Sequence, residues 1–584
     1  MSEVNFKKYI FRIGLAFILL VSMFSSIYAI KNYKSDNIME QSGGFKRTLN
    51  IKNSENLPDN IPSLNNSEPD LQNNNIKSDN NQYDSKGIVS PNADSFEIGM
   101  NDKPQKDDNI GSNESRDNQF DSNRNKQREK NKNAKQGEFN GNIQRGGVDD
   151  RYLLSITIYS VLFLIVSCSV YCLVKRKNIE FNYKDEKLLI ITLVFTGIFL
   201  RISASTLING HNDINLFKNW AETAANGFTQ FYANARQADY PPVYIYILGC
   251  IGKIANIQVF NLYYILLLKI PSIIADVVTA YFIYRIGKRF LNAVTSIFLA
   301  TFYIFNPAIF IDSTFWGQVD SLFTLLIVIS IYLLYEKKYV FSSVMFALSV
   351  FMKPQGIIFL PVLFFELVRQ RKIRNFIYAA VSAVATVIVI IIPFSVNEQS
   401  PTWIFNLYLK TISEYPYASV NAFNFFGLVG ANYKNDNTTF FIFNYHTIGI
   451  MFIILTTLIG WIIYIKGNDR KYISAISLLQ IAGVFTFSVG MHERYLFPAV
   501  ALSILAFIYS KDRRFFIMAI GFSITSYINI STVFFKTNTS VFAVLLKVTS
   551  LFNVILVLYL VKVIIDNTVK KFSLKIDNKE SELL

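Results

Sequence analysis

Long apolar runs alternate with short polar connections along most of this chain. About fourteen runs are long enough, or nearly so, to cross roughly 30 Å of hydrocarbon as helices. They lie at residues 9–30, 152–174, 187–208, 260–283, 291–311, 321–335, 340–352, 356–369, 376–395, 447–466, 472–490, 496–510, 515–534 and 541–564. Lipid satisfies no backbone groups, and no alternating barrel pattern is present, so these runs predict helices. The predicted fold is an all-α polytopic membrane protein with about 13 to 14 transmembrane helices.

Composition agrees with a membrane protein, since 51% of the 584 residues are hydrophobic and 52 are Phe. Residues 31–150 differ from this apolar composition, because they are rich in Asn, Asp, Ser and Lys. This composition predicts a disordered polar extracytoplasmic insert. The predicted organisation is a membrane anchor helix at 1–30, this insert at 31–150, a second transmembrane helix with a cytoplasmic loop at 151–186, a multi-helix membrane domain with an interfacial helical loop at 187–566, and a cytoplasmic tail at 567–584. The SIYA sequence that ends the first apolar run also permits cleavage as a signal peptide, so both readings of that run stay open.

The formal charge of +15 comes from Lys and Arg that fall in alternate connections between apolar runs. This distribution marks the cytoplasmic side of a multi-pass membrane protein and does not indicate nucleic acid binding. It predicts that both termini are cytoplasmic and that the remaining polar clusters share the extracytoplasmic face. Three cysteines give no disulfide framework and no metal-ligand pattern.

The first polar cluster follows the run that ends at residue 208, in the segment HNDINLFKNWAETAANGF. Its apolar positions recur at helical spacing and predict one helix face along the membrane interface: Ile214, Phe217, Trp220, Ala221 and Ala224. Asp213 begins this helix, where free N–H groups stabilise a carboxylate. Asp213 is therefore a candidate catalytic residue or an N-cap, and Asn212 would serve equally well as the cap.

Two further clusters carry groups that could contact a substrate. The DYPP turn is stiff because each proline fixes its own backbone dihedral, so it holds Asp239 and Tyr240 for structure or for substrate contact. The sequence FWGQVD places Trp316, Gln318 and Asp320 within about a turn of one another. Aromatic faces, amides and carboxylates are suited to binding sugars. A tryptophan at a membrane interface is also an ordinary anchor.

The last clusters carry cations. Lys353, in the sequence MKPQ, lies between two short apolar runs, and a lysine at that depth is costly unless an anion or a polar cavity compensates it. The sequence MHERY holds a His and an Arg two residues apart, a pair that can bind phosphate through charge-assisted hydrogen bonds. The candidates are Lys353, His492 and Arg494 for a phosphate, and Gln355, Asn421, Asn424 and Glu493 for a substrate.

With these motifs in this order, the chain resembles the GT-C superfamily of polytopic glycosyltransferases over roughly residues 187–564. The resemblance is to bacterial mannosyltransferase-like proteins related to the enzyme that adds the second mannose of GPI anchors. The chain also looks like the dolichyl-phosphate-glucose transferases. The likeness rests on HNDINLFKNW, DYPP, WGQVD, KPQ and HERY, and the first apolar run and the polar insert depart from the family pattern.

The resemblance implies an inverting transfer of a hexose, of mannose or glucose type, from a polyprenyl-phosphate donor to a hydroxyl of a glycan, glycolipid or protein acceptor. The reaction would take place at the extracytoplasmic face of the cell membrane. Asp213 would act as the general base, and the three cationic candidates would bind the donor phosphate.

No cofactor is expected, and a divalent metal, if one is used, would be held by Asp213, Asp239 and Asp320. A lipid-linked sugar flippase or other transporter is the alternative from a different class, because it too has many spans and a polar cavity. Transporters keep ionisable residues near the bilayer midplane, whereas most of these clusters lie at one surface. A polysaccharide polymerase or ligase is a closer alternative.

Overall fold

The computed structural model describes residues 3–33, 150–176, 182–397 and 400–581. The predicted polar insert at residues 31–150 lies almost entirely outside the described residues. Within the described ranges the chain is helical apart from one hairpin of two short strands. The predicted fold class, an all-α polytopic membrane protein, is therefore confirmed.

The helices follow one another with short connections. The first half contains α1 (Glu3–Lys31), α2 (Leu153–Arg176), α3 (Tyr183–Ser205), α4 (Asp213–Asn226), α5 (Phe231–Asn234), α6 (Pro242–Ala255), α7 (Gln258–Asn261), α8 (Tyr264–Phe290), α9 (Ala293–Ile304), α10 (Pro307–Phe310) and α11 (Asp320–Tyr335). The second half contains α12 (Tyr339–Met352), α13 (Leu360–Gln370), α14 (Ile373–Ser395), α15 (Trp403–Ser413), α16 (Phe425–Leu428), β1 (Thr439–Phe440), β2 (Phe443–Asn444), α17 (Tyr445–Gly467), α18 (Ile473–Phe487), α19 (Pro498–Ser510), α20 (Arg513–Phe534) and α21 (Thr539–Ser581). The strands β1 and β2 pair antiparallel. Short 3-10 segments occupy Asp150–Tyr152, Pro354–Phe359 and Arg470–Tyr472, and a π-helical segment, Ile311–Trp316, continues α10.

Eight helices of the described ranges are long and apolar enough to cross a membrane, and the bent unit of α9 with α10 and its π segment makes a ninth if it is counted as one span. The eight are α1, α2, α3, α8, α14, α17, α20 and α21. Four shorter apolar helices accompany them, α6, α11, α12 and α19, of which the apolar pattern alone did not predict α6. The last helix continues through Ser581, so the predicted tail at 567–584 begins as an extension of α21.

The apolar face of the helix that begins at Asp213 packs against protein. Its five apolar positions are buried, which confirms the predicted stripe. The neighbour that covers them is α6, and the two helices approach so closely that a Cβ on Gly252 would lie 2.1 Å from the carbonyl oxygen of Ala221. Helical periodicity identifies the apolar face of a helix but not the element that covers it. The predicted interfacial position of this face is therefore wrong.

The first helix packs along α3. An ion pair between Arg12 and Asp185, 2.7 Å long, joins the two helices near one end, and the hydroxyls of Ser25 and Ser203 lie 3.2 Å apart near the other. Helix α1 is therefore packed against the remainder of the described chain.

A bend between α9 and α10 brings the WGQVD motif to a turn. The two helices meet at 45°, and the side chain of Asn306 caps α10 by accepting a hydrogen bond from the backbone N–H of Ala308 at 3.1 Å. The π segment then ends at Gly317, whose positive φ of 80° turns the chain into α11. This turn lies beside the start of α4, because a Cβ on Gly317 would lie 3.1 Å from the Ile214 side chain.

Candidate active site

Asp213 occupies the first position of α4 and does not cap the helix. The preceding residue, Asn212, makes no side-chain cap hydrogen bond either, so neither capping alternative holds. The Oδ2 atom of Asp213 accepts a hydrogen bond from the indole N–H of Trp316 at 3.1 Å and another from the amide of Gln318. The side chain of Asp213 remains 34% exposed, so its carboxylate is fixed by two donors and still reachable.

The two loops that carry these groups are held by tight backbone contacts. Gly210 and Gly317 both have positive φ angles, which favour glycine. A Cβ on Gly210 would lie 3.3 Å from the carbonyl oxygen of Trp316, so the loops touch directly. The buried ammonium of Lys269 donates to the carbonyl oxygen of Ser205 at 3.2 Å and fastens the loop before α4. The position of Asp213 is therefore set by both loops together.

A histidine and an arginine flank the carboxylate. Nδ1 of His211 lies 3.6 Å from Oδ1 of Asp213, and a guanidinium nitrogen of Arg494 lies 3.6 Å from Oδ2. Burial raises the pKa of Asp213, but the hydrogen bond from His211 and the positive charge of Arg494 outweigh it and hold the pKa well below its usual range. Asp213 is therefore ionised at neutral pH.

The other cations form a chain of ion pairs with carboxylates. Nε of Arg494 lies 3.6 Å from Oδ2 of Asp320, whose Oδ1 lies 2.7 Å from the ammonium of Lys353. Arg494 also contacts Glu493 at 2.7 Å, and burial raises the pKa of Glu493. The compensating anion that Lys353 requires at this depth is therefore Asp320 of the same chain. Asp213, Arg494, Asp320 and Lys353 form one continuous electrostatic network.

His492 is neutral in this environment. Its ring lies edge-on to Tyr415 at 4.6 Å between centroids and 5.0 Å from the ring of Tyr495. Burial, together with the positive charges of Arg494 and Lys353, lowers the pKa of His492 to about 3. A charge-assisted contact from His492 to a phosphate, as expected from the sequence, does not fit this neutral ring. The positive charge at this end of the site belongs to Arg494 and Lys353.

The DYPP turn is held against α4 by aromatic contacts. The ring of Tyr240 lies 5.9 Å from that of Phe217 and 5.4 Å from that of Trp220. The carbonyl oxygen of Tyr240 also accepts a hydrogen bond from the hydroxyl of Tyr232 at 2.9 Å. Tyr240 therefore anchors the turn through its ring and its carbonyl oxygen.

Several candidate residues keep buried polar atoms without a hydrogen-bond partner. In the described part of the chain, these include Oδ1 of Asp239, Oε1 of Gln318 and Nε2 of Gln355. Burial and the negative charge of Glu414 raise the pKa of Asp239 to about 7, and the charges of Asp213 and Lys353 also act on it. An unsatisfied buried polar atom is costly, so these three atoms are suited to bind a ligand.

Other residues expected to contact a substrate are occupied by the protein. Asn424 is fully buried, caps α16 through Gly427, and donates to the carbonyl oxygens of Phe485 and Ser488. Asn421 hydrogen-bonds through its side chain to its own loop, and its backbone pairs with that of His492. These two asparagines therefore hold the wall of the site and do not face a substrate in this conformation.

Trp316 does not present a free aromatic face. It is 1% exposed, with the rings of His211 and Phe534 at 4.9 Å and 5.2 Å and the guanidinium of Arg494 at 4.8 Å. Gln318 and Asp320 are fully buried. The WGQVD motif therefore positions Asp213 and Lys353, whereas the sequence predicted a sugar platform.

The three carboxylates proposed to hold a metal are not grouped for it. Across the described ranges, no set of three or more His, Cys, Asp or Glu side chains is arranged to hold a metal ion. Asp213 and Asp320 instead share Arg494, which lies 3.6 Å from each.

Some ionisable residues near the site escaped the sequence analysis. His211 lies within the HND segment, and its rarity, with three histidines in the chain, was the available signal. Arg201 and Asp276 form a fully buried ion pair at 3.3 Å between α3 and α8, and Asp312 in the π segment is fully buried. A charge inside an apolar run is itself a signal, since such residues are rare and costly in membranes.

Part of the chain that contains this site is similar to a known protein family. Residues 239–396 match the family model of the dolichyl-phosphate-mannose-protein mannosyltransferases. The matched region begins at Asp239 and includes the WGQVD and KPQ motifs but neither Asp213 nor His492. No curated protein matches the chain, and the nearer resemblance to the GPI-anchor second mannosyltransferase stays a prediction. This match covers less than half of the chain, so it shows a likeness to these mannosyltransferases over residues 239–396.

Proposed function

We propose that this protein transfers a hexose from a polyprenyl-phosphate donor to an acceptor hydroxyl at the extracytoplasmic face of the membrane, with inversion at the sugar. The observation that carries the proposal is the placement of one accessible, ionised carboxylate, Asp213, at 3.6 Å from a cation, Arg494, that belongs to the same buried network as Lys353. A carboxylate beside fixed cations suits a reaction in which a proton is removed while negative charge develops nearby.

In the proposed reaction, the acceptor oxygen forms a bond to the anomeric carbon as the bond from that carbon to the phosphate oxygen breaks. The acceptor proton passes to Asp213, and the electron pair of the broken bond goes to the lipid phosphate. Arg494 and Lys353 stabilise the charge on that phosphate. Gln355 and Asp239, whose buried polar atoms lack protein partners, bind the sugar or the acceptor.

The proposed orientation of the chain in the membrane rests on the distribution of its Lys and Arg residues. The basic connections of the chain would face the cytoplasm together with both termini, and the start of α4 would face outward. The hexose is of mannose or glucose type, and the acceptor hydroxyl belongs to a glycan, a glycolipid or a protein.

Membranes that carry Asp213→Asn test the proposal. Transfer from a radiolabelled polyprenyl-phosphate hexose should fall by about 100-fold or more, because a general base contributes on the order of 10² to 10⁴. The matched control is Glu336→Gln, which removes a carboxylate paired with the exposed Arg289 at the opposite end of α11 from Asp320, and it should leave transfer unchanged. Wild-type turnover by Asp213→Asn, in protein that inserts normally, would refute the assigned base.

A further inference from the structure

A cavity outside the proposed catalytic network lies between α1, α2, α3 and the bend of α9 and α10. It has a volume of about 620 Å³, which is within the range of ligand sites. Its walls come from the last turns of α1 and α3, the first turns of α2 and the bend, represented by Tyr28, Ala29, Tyr159, Leu207 and Phe310. Helix α1 and most of this lining lie outside the region matched to the mannosyltransferase family.

The cavity is continuous with the lipid-facing surface of the helices. Tyr28, Leu200 and Leu207 line it and are 73%, 37% and 53% exposed. Tyr28 and Leu200 belong to α1 and α3, which are apolar enough to span a membrane, so a lipid chain in the bilayer could reach the cavity past these side chains. The natural occupant of such a cavity is a hydrocarbon chain that enters from the bilayer.

The lining changes character along the cavity. The hydroxyls of Ser25 and Ser203 lie deeper along α1 and α3, and Asn32, Tyr33 and Thr206 follow at the ends of these helices. The more polar end is also the end from which the chain continues towards Asp213. This gradient suits an amphiphile whose chain lies among the helices and whose head group lies at their ends.

The cavity adjoins the proposed active site through shared residues. The hydroxyl of Tyr33 donates to Oδ1 of Asn209 at 3.2 Å, in the loop that leads to Asp213. Ala204 and Phe310 line the cavity and pack against the aromatic cluster that contains Trp316, the indole donor of Asp213. A lipid held here has its head group beside the loops that position the carboxylate.

We infer that this cavity binds the prenyl chain of the lipid-linked donor, with α1 as one of its walls. The inference rests on the proposed function, since the prenyl chain belongs to the donor. It gives the first helix, which lies outside the region matched to the mannosyltransferases, a role in binding the lipid substrate.

Photo-crosslinking tests the inference with the full-length protein in vesicles of phosphatidylethanolamine and phosphatidylglycerol. The probe is undecaprenyl phosphate with a diazirine in its prenyl chain, and adducts are mapped by mass spectrometry. We expect adducts on α1 and α3 at the cavity residues. Ala29→Phe, which fills the cavity, should reduce them by about tenfold. Ala16→Phe, the same change on an exposed face of α1, should not reduce them.

Ser203→Leu fills the cavity from the α3 side and replaces Ala29→Phe if that variant fails to assemble. The inference would be overturned if no adducts formed on either helix, or if adducts persisted in the filled variants. It would also be overturned if excess phosphatidylglycerol displaced the probe as well as unlabelled undecaprenyl phosphate does. Asp213→Asn should crosslink like the wild type because binding requires no turnover. Lost adducts with normal sugar transfer would therefore reject the cavity alone, and retained transfer by Asp213→Asn would reject the catalytic proposal alone.

Discussion

The buried pair of Lys353 and Asp320 gives the most quantitative test of the site. Their side chains are 3% and 1% exposed, and removing one partner of such a pair costs about 3–5 kcal/mol because the other charge stays buried. The two single variants should differ. In Lys353→Met, Asp320 keeps Arg494 at 3.6 Å, so the loss of unfolding free energy should be about 3 kcal/mol. In Asp320→Leu, two cations lose their shared anion, and the cost should approach about 5 kcal/mol.

The double variant Lys353→Met with Asp320→Leu separates stability from function. Replacing a buried ion pair by apolar residues of similar size is often neutral, so the double variant should unfold within about 1 kcal/mol of the wild type. Its sugar transfer should nevertheless remain impaired, because the ammonium that we propose to bind the donor phosphate is gone. Thermal unfolding of the solubilised protein, followed by tryptophan fluorescence, and transfer from labelled donor measure the two properties.

The reasoning would be refuted if both single variants unfolded like the wild type, since the charges would then not be buried together. A double variant less stable than either single variant would equally contradict the pairing. Wild-type transfer by the double variant would remove Lys353 from the proposed phosphate site while leaving the fold intact.

Three further predictions follow from the same geometry. Arg494→Gln should raise the KM for the donor by about tenfold to 100-fold, since a hydrogen bond to a charged group is worth about 1.5–3 kcal/mol. His492→Gln replaces a neutral ring and should raise the KM much less. Equal increases of the KM in steady-state assays would contradict this difference between the two residues. The pKa of Asp239 is raised to about 7 in the folded protein, whereas an aspartate in the unfolded chain loses its proton near about pH 4. The folded state therefore binds more protons between these pH values, and the unfolding free energy should fall as pH rises from about 4 to about 7. Asp239→Asn should weaken that dependence in thermal unfolding at pH 5 and pH 8, and an unchanged dependence would contradict it. Gly252→Ala should cost about 1–3 kcal/mol in unfolding because its Cβ meets a backbone carbonyl of α4, whereas Gly14→Ala, with open space around it, should cost nothing measurable.

The apolar pattern predicted the helices well because a helix that spans a membrane forms its backbone hydrogen bonds within its own segment. Such a helix can therefore be recognised from the sequence of that segment alone. It also predicted which residues of α4 are buried. It did not predict the partner of that face, since the same apolar face fits a membrane interface and the surface of α6. The partner of a face depends on the tertiary fold, and no local pattern encodes it.

The candidate site was predictable as a set of motifs but not as a set of pairings. The structure brings Asp213, Gln318, Asp320, Lys353 and Arg494 into one network, although these residues span most of the membrane domain. Which cation meets which carboxylate depends on the bend before the WGQVD motif, and the burial of His492 depends on its packing against Tyr415 and Tyr495. These features follow from packing between distant segments.

Thiol labelling of intact cells tests the central claim most directly. In a chain whose Cys168, Cys172 and Cys250 are replaced by serine, Asp213→Cys should react with a membrane-impermeant maleimide from outside, because the side chain at this position is 34% exposed. Arg371→Cys, on the exposed connection between α13 and α14, should react only after the membrane is opened. Labelling of residue 213 only in opened membranes would place the carboxylate on the cytoplasmic side and contradict the proposed extracytoplasmic active site.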